Sequence, residues 1–255
     1  MTLTLSPIKL EKIIEPGDRL AKIIFSELPK NGLTLAKGDI FVITQKIISK
    51  SEGRLINLTE ITPSQKAITL AKKSKKDARF VELVLSESKE VIRVREGTII
   101  TEHRLGFVCA NAGIDHSNVR GSWGNAEDWF LLLPENPDLS ALRIAKDIKY
   151  LSGINPGILI IDSHGRAWRN GTIGTTIGTH QVPGIVDMRG KEDLFGYKLR
   201  ITMIAVADEL AGAASLLMGQ ADEGIPVIHV RGFPYPLRNS AISELIREKK
   251  DDLFR

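Results

Sequence analysis

The strongest constraint on the fold is a run of four apolar residues that ends at an acid. Residues 158–161 are Ile, Leu, Ile and Ile, and Asp162 follows them directly. Such a run predicts a buried strand that opens into a loop at the acid. Polar and cationic side chains crowd into the next positions, at Ser163, His164, Arg166 and Arg169. Because loops at strand ends carry much of protein chemistry, this stretch is a candidate functional site, with an ordinary turn as the alternative.

The order of the predicted elements favours an α+β fold. Strands are predicted at 40–43 (continuing through 44–50), 91–94, 98–101, 107–110, 171–178 and 225–230. Helices are predicted at 19–28, 63–74, 80–88, 139–151 and 201–219, with a charged helix from Ser240. Helix caps are expected at Asp18, Thr62 and Asp138. Because strands and helices alternate irregularly, we expect mixed or antiparallel sheets with packed helices rather than a doubly wound sheet.

The domain organisation is expected to be simple. A length of 255 residues suits one large domain or two small ones. The chain has no internal repeat, low-complexity run or clear linker. We therefore predict a single domain over residues 1–255, with the polar region 121–127 as the candidate boundary between two lobes.

Charge and cysteine content narrow the class of protein. The net charge is +4, and the basic cluster at 72–76 is followed at once by Asp77, which favours a solvated helix face over a nucleic-acid patch. Aromatic residues are only 5% of the chain, so there is little material for base stacking. An excess of cations also suits an anionic small substrate. The single cysteine, Cys109, cannot form an intramolecular disulfide and is expected to be a small core residue.

One segment has the length and composition of a membrane span. Residues 201–219 are nearly all apolar or small, but Asp208 and Glu209 lie in the middle. Each would cost about 2.5–3.5 kcal/mol there, so a tightly packed core helix is the better prediction. The N-terminus lacks the basic and apolar regions of a signal peptide. A cytoplasmic protein without membrane or nucleic-acid partners is expected.

Three polar loops carry the candidate chemistry. They cover residues 115–118, 162–166 and 219–223, and each follows an apolar segment. Their oxygen-bearing side chains include Asp115, Asp162, Ser163 and Gln220. Carboxylate, hydroxyl and amide oxygens suit Mg²⁺ or Mn²⁺ held partly by substrate phosphates. Spacing alone does not show that these loops meet, and the chain has no Walker A motif.

Several segments together resemble the family of coenzyme F420-0:γ-glutamyl ligases. The matching segments are 44–54, 107–118, 162–171, 187–190, 207–211 and 218–220. They occur in the family's order between about residues 11 and 232, which is most of the chain. The resemblance implies a GTP-dependent amide ligase that adds L-glutamate to the deazaflavin coenzyme F420-0 through an acyl-phosphate intermediate, forming F420-1 and longer γ-linked forms. It also implies an unusual α+β fold in an intertwined homodimer, two divalent ions (Mg²⁺ or Mn²⁺) and K⁺ as a further ion.

The resemblance also assigns residues. Asp115 and Asp162 match the ligands of one metal, and Ser163 and Gln220 match those of a second. We expect Asp115, Asp162 and Arg166 to be catalytic; as cations, Arg166 and Arg169 are suited to clamp a carboxylate or phosphate, with a structural ion pair as the alternative. The nucleotide-binding residues that it implies are Glu11, Lys12, Ile13, Ile14, Gln45, Lys46, Lys50, Asn118, Met218, Gly219, Gln220, Ala221, Asp222, Glu223, Gly224 and Ile225. Lys46 and Lys50 are cations suited to phosphate, with a solvated strand edge as the alternative.

The chain departs from the family's more usual residues near the central acid. Ser163 keeps a hydroxyl, His164 replaces an apolar ring, and Ala167 and Thr172 replace a proline and a glutamine. His164 is a candidate base for the incoming amine. The changes at His164 and Thr172 leave open a paralogous GTP- or ATP-dependent ligase with another carboxylate acceptor. A non-catalytic nucleotide-binding module is a further alternative, against which the retained oxygen-bearing side chains of the three loops argue. A basic RNA-binding protein is a more distant alternative.

Overall fold

The protein is described here by a computed structural model that covers residues 2–254. Its strands are β1 Thr4–Ile8, β2 Ile40–Thr44, β3 Leu55–Asn57, β4 Ser88–Arg95, β5 Thr98–His103, β6 Val108–Ala110, β7 Trp129–Leu131, β8 Gly157–Arg166, β9 Arg169–His180, β10 Val186–Asp187, β11 Met203–Ile204 and β12 Val227–Arg231. Its α-helices are α1 Leu20–Lys30, α2 Gln45–Ser51, α3 Gln65–Ser74, α4 Ala78–Ser86, α5 Pro137–Ser152 and α6 Val206–Met218.

A five-stranded mixed sheet forms the centre of the fold. The strand order is β1-β12-β2-β8-β9, in which β2 and β8 are parallel and the other neighbours are antiparallel. Side chains alternate between the two faces of a strand. Ile158 and Ile160 therefore pack with α1 and α5 on one face, whereas Leu159 and Ile161 pack with α6 on the other. This double burial explains the uninterrupted apolar run, and the predicted α+β class with mixed and antiparallel sheets is confirmed.

A second group of elements packs beside this sheet. The antiparallel sheet β4-β5-β6 and the helices α3 and α4 share a separate apolar cluster that includes Val81, Val84 and Ile99. Ile56 of β3 and Leu132, which directly follows β7, belong to the same cluster. The extent of the domain and a lobe boundary at 121–127 stay predictions.

Two local predictions at the candidate site were wrong. Asp162 does not end its strand, because β8 continues to Arg166 in a long hairpin with β9, and Asp162 pairs with Thr175. Residues 45–50 do not continue β2 as a strand but belong to helix α2. The helix is stabilised by its buried residues: Ile47 and Ile48 pack into the core, and the Ser49 hydroxyl donates to Gln45 Oε1 at 2.9 Å.

Other errors concern helix ends. Asp18 is not the cap of α1; it accepts from the Glu15 amide at 2.9 Å and pairs with Lys12. The actual caps of α3 and α5 are Ser64 and Asn136 rather than Thr62 and Asp138. The predicted helix from Ser240 is reduced to short 3-10 turns at Ile242–Glu244 and Lys249–Asp251, in a tail held by contacts with the body. Strand β1 was not predicted.

The apolar segment at 201–219 forms a shorter helix than predicted, α6, which packs against the central sheet through Ala207, Leu210 and Ala211. Among residues 2–254, no helix is both long enough and apolar enough to cross a membrane. Cys109 is buried, as predicted.

Close packing of α6 on β9 depends on Gly174. A Cβ atom at this position would lie 2.3 Å from the Ala211 carbonyl oxygen and 2.7 Å from Ser215 Cβ. We expect Gly174→Ala to lower the free energy of unfolding by about 1–3 kcal/mol, because the helix backbone must move away from the strand. Gly212→Ala is the matched control, since a Cβ on this α6 residue meets nothing within 4 Å. It should raise stability by about 0.5–1 kcal/mol. Urea denaturation measures both; a Gly174→Ala variant as stable as the parent would contradict this account.

Candidate functional site

The three polar segments predicted to carry the chemistry line one cleft of about 850 Å³. It lies where β8 passes the end of β2, the start of α2 and the end of α6. Further walls come from residues 12–14, 113–120 and 218–226. The structure therefore brings together segments that are separated by many residues along the chain.

The carboxylates of Asp115 and Asp162 both line this cleft and repel each other electrostatically. Gln45 Nε2 donates to Asp115 Oδ2 at 2.6 Å, and Lys46 Nζ lies 3.6 Å from Asp115 Oδ1. Burial and the negative charge of Asp162 raise the pKa of Asp115 to about 6. Burial also acts to raise the pKa of Asp162, but the hydrogen bond and charge of His164 outweigh it and hold this pKa below its ordinary value. The pair thus concentrates negative charge in a place where water solvates it poorly.

Ser163 and Gln220 form a second polar group on the other side of β8. The Ser163 hydroxyl donates to Gln220 Oε1 at 3.0 Å, and Gln220 Nε2 donates to Ser215 Oγ at 3.3 Å. Because successive strand residues point to opposite faces, Asp162 and Ser163 reach different neighbours although they are adjacent in sequence.

Two lysines of α2 also line the cleft. Lys46 and Lys50 are four residues apart, so they share one helix face. Lys46 Nζ donates to Ser117 Oγ at 2.8 Å, and Lys50 Nζ donates to the Asn118 carbonyl at 2.7 Å. Burial and the charge of Lys46 lower the pKa of Lys50. Two partly buried ammonium groups at the edge of a cleft are suited to an anion such as phosphate.

Asn118 connects two walls of the cleft. Its side-chain amide donates to the Ala221 carbonyl at 2.9 Å, and its backbone has a positive φ of 58°. Asparagine tolerates this left-handed conformation better than most residues. The cleft is also lined by Lys12, Ile13, Ile14 and the whole predicted segment Met218, Gly219, Gln220, Ala221, Asp222, Glu223, Gly224 and Ile225.

Three predicted site residues stand apart from the cleft lining. Gln45 is fully buried behind Asp115, which it contacts. Glu11 is exposed and pairs with Lys30 at 2.8 Å. Arg166 lies near the tip of the β8-β9 hairpin, where its guanidinium lies 3.5 Å from the Asn170 carbonyl. The roles predicted for Glu11 in nucleotide binding and for Arg166 in catalysis stay predictions.

Comparison with known proteins gives the family. A family model described as F420-0:Gamma-glutamyl ligase matches residues 8–232. This chain belongs to that family. Proteins named Coenzyme F420:L-glutamate ligase are 42% identical in Methanothermobacter thermautotrophicus, over all of both chains, and 42% identical in Methanopyrus kandleri, over all of this chain and 98% of that one. The protein of the same name in Methanocaldococcus jannaschii is 46% identical over 86% of this chain and 85% of its own.

The cleft lies wholly inside the part of the chain that matches the ligase family. Its lining residues run from Leu10 to Pro226, within the matched range 8–232. The sequence does not indicate that Cys109 lines the cleft or that His164 contacts Asp162. Cys109 lines the cleft, and burial together with the charge of Asp162 raises the pKa of its thiol to about 12, so the thiol stays protonated. His164 contacts Asp162, a relation that period-2 alternation would have indicated had the strand been extended past residue 161.

The donor set of the cleft fits a hard divalent cation that also binds substrate. Among residues 2–254, no three or more His, Cys, Asp or Glu side chains cluster in a way that would hold a metal. Asp115 and Asp162 supply charged donors, and the hydroxyl of Ser163 and the amide oxygen of Gln220 supply neutral ones; the carboxylates of Asp222 and Glu223 line the cleft as well. Mg²⁺ is typically bound by one or two carboxylates, with water and substrate phosphates completing its shell. Asp115, Asp162, Ser163 and Gln220 therefore fit such an ion only in combination with an anionic substrate.

Proposed function

We propose that this chain is a cytoplasmic ligase that joins L-glutamate by an amide bond to the deazaflavin coenzyme F420-0, using GTP. The product would be F420-1, followed by longer γ-linked forms. One observation carries the proposal: a single cleft is lined by two carboxylates, Asp115 and Asp162, together with two lysines, Lys46 and Lys50. The names of the relatives support the substrates, glutamate and the F420 coenzyme.

The chemistry has two steps. The γ-phosphoryl group of GTP passes to an oxygen of the acceptor carboxylate, which releases GDP and forms an acyl phosphate. The amine of glutamate then attacks the acyl carbon; the C–N bond forms, the C–O bond to phosphate breaks, and phosphate and a proton are released. Most of the protein's contribution to such transfers is positioning and charge stabilisation.

The residues of the cleft divide this work. Lys46 and Lys50 bind nucleotide phosphates as point charges. Asn118 and the loop 218–225 form the remaining nucleotide wall. Asp115 and Asp162 would hold one divalent ion, and Ser163 and Gln220 a second, with Mg²⁺ or Mn²⁺ as the ion and K⁺ as a further one. When bound, such ions neutralise phosphate charge and polarise the transferring group.

The proposal includes a homodimer. Several large apolar side chains stand exposed along the 187–204 segment and on α6: Leu194 and Phe195 are 98% and 95% exposed, and Ile201 and Leu216 are 88% and 86% exposed. Exposed apolar side chains of this size, grouped along one segment, are typical of an interface. In the proposed intertwined dimer, a second copy of the chain would cover these side chains.

Mass spectrometry of a defined reaction tests the function. Purified protein is incubated with GTP, Mg²⁺ or Mn²⁺, L-glutamate and F420-0, with a parallel reaction that contains ATP. We expect products heavier by one or more glutamyl units, with GDP and phosphate released in equal amounts. GTP hydrolysis or binding without a heavier product would instead favour a ligase with another carboxylate acceptor. Nucleotide binding without turnover on any carboxylate would favour a non-catalytic module.

A further inference from the structure

His164 occupies a defined position beside the central acid. Its Nε2 lies 3.0 Å from Asp162 Oδ2, and its side chain is only 9% exposed. At neutral pH an ionised carboxylate only accepts hydrogen bonds, so the hydrogen bond requires the proton on Nε2. His164 is thus a donor to one of the two oxygens of Asp162.

The imidazole of His164 is held in place by aromatic packing. The ring of Phe107 lies 5.3 Å from it, centroid to centroid, at an angle of 47°. Phe107 is in turn stacked on His103, with centroids 5.2 Å apart and planes only 5° from parallel. His103 is itself fully buried. Because the packing already fixes the ring of His164, its Nε2–H points in one direction, and no further side-chain freedom is lost when a ligand binds.

We propose that His164 is a positioning residue that orients the Asp162 carboxylate for metal binding. By holding Oδ2, it fixes the plane of the carboxylate and leaves the other oxygen for the cation. Partners that orient a metal ligand typically contribute 10–100-fold to metal affinity. The inference rests on the proposed function only in that it takes Asp162 to be a metal ligand.

Variants of His164 separate the hydrogen bond from the packing. His164→Phe keeps a ring against Phe107 but removes the donor, whereas His164→Gln places an amide N–H near the position of Nε2. The control is His180→Phe, the same change on the same hairpin. His180 lies at the far end of β9, where its backbone pairs with Ile158 instead of lying beside Asp162. If the phenylalanine variant does not fold, as judged by circular dichroism, His164→Leu replaces it in the comparison.

The first readout is Mn²⁺ binding, which needs no turnover. Electron paramagnetic resonance measures free Mn²⁺ during titration of the full-length protein in the presence of GDP, against a protein-free reference. We expect His164→Phe to weaken Mn²⁺ binding about 10–100-fold, and His164→Gln and His180→Phe to stay within about threefold of the parent. Parent-like binding by His164→Phe, or equal weakening by the phenylalanine and glutamine variants, would overturn the inference. If the parent itself binds no more Mn²⁺ than the reference, the metal assignment in the proposed function fails first.

The second readout distinguishes positioning from proton transfer. A positioning role predicts that His164→Phe raises the apparent KM for Mn²⁺ more than it lowers kcat, because saturating metal compensates for a poorly oriented ligand. A role as the base for the glutamate amine predicts the reverse: His164→Gln would lose kcat at saturating Mn²⁺ with unchanged Mn²⁺ affinity, since an amide does not accept the proton. The latter pattern would overturn the positioning role.

Discussion

Replacement of Asp162 by asparagine is expected to lower ligase turnover by about a thousandfold while the fold stays intact. The change keeps the shape of the side chain, and the amide oxygen still accepts the hydrogen bond from His164. It removes one of the charged donors of the cleft. A metal ion supplies several kcal/mol of charge stabilisation to a transferring phosphoryl group. Loss of about 4 kcal/mol corresponds to about three powers of ten in rate.

Stability measurements check that the loss of turnover is not a loss of the fold. The hydrogen bond and charge of His164 hold the pKa of Asp162 below its ordinary value, so the ionised carboxylate stabilises the folded chain, although repulsion from Asp115 acts against it. Without metal, Asp162→Asn should therefore melt somewhat lower than the parent but still unfold cooperatively. Asp147→Asn is the matched control, because Asp147 is half-exposed on α5 and pairs with Arg19 at 3.5 Å; it should change neither turnover nor melting. Full turnover of Asp162→Asn at saturating Mg²⁺ or Mn²⁺ would show that the metal assignment is wrong.

The sequence was sufficient to predict the central strand, but not how far it extends. The apolar run at 158–161 predicts a strand buried on both faces, and the structure has this strand. An acid directly after such a run is typical of a turn, so the sequence predicts that the strand ends at Asp162. In the structure, the strand continues to Arg166 because its backbone pairs with β9, the next strand of the hairpin. The composition of residues 162–166 by itself does not indicate this pairing.

The meeting of the three polar loops was likewise beyond local patterns. Asp115 and Asp162 are brought together by different sheets, through the backbone bridge of Asp115 to Leu131 and the pairing of β8 with β2. By contrast, the sequence contains enough information to place Lys46 and Lys50 side by side. Their four-residue spacing places both on one face of a helix, but the apolar run before them led to a strand prediction.

The second large effect concerns stability and a carboxylate outside the cleft. Glu87, just after α4, is buried and accepts hydrogen bonds from two arginines: Arg54 Nη2 at 3.0 and 3.1 Å, and Arg104 Nε at 2.9 Å. The same arginines also donate to carbonyls of the segment before α5, at Leu133 and Glu135. Glu87 thus ties the β4-β5-β6 group to the start of α5, and its loss would leave two cations without their shared counter-charge.

Glu87→Gln is expected to lower the free energy of unfolding by about 3 kcal/mol at pH 7. Burial acts to raise the pKa of Glu87, but His103, Arg104 and Arg54 together lower it from 4.5 to about 2. A shift of that size corresponds to about 3 kcal/mol, the range observed when one partner of a buried ion pair is removed. Urea denaturation at pH 7 measures it. Glu96→Gln is the control, because Glu96 and its partner Lys75 are both 68% exposed; it should cost less than about 1 kcal/mol.

The pH dependence of this difference tests its electrostatic origin. Because the pKa of Glu87 is lower in the folded chain, its contribution is complete above the unfolded value of 4.5 and is lost as the pH falls towards about 2. The gap in stability between the parent and Glu87→Gln should therefore narrow steadily from pH 5 to the lowest pH at which the parent still folds. A gap that stays constant over this interval would mean that Glu87 stabilises the fold through packing or neutral hydrogen bonds. The two arginines would then be held without the carboxylate's charge, and the lowered pKa would not be the source of the effect.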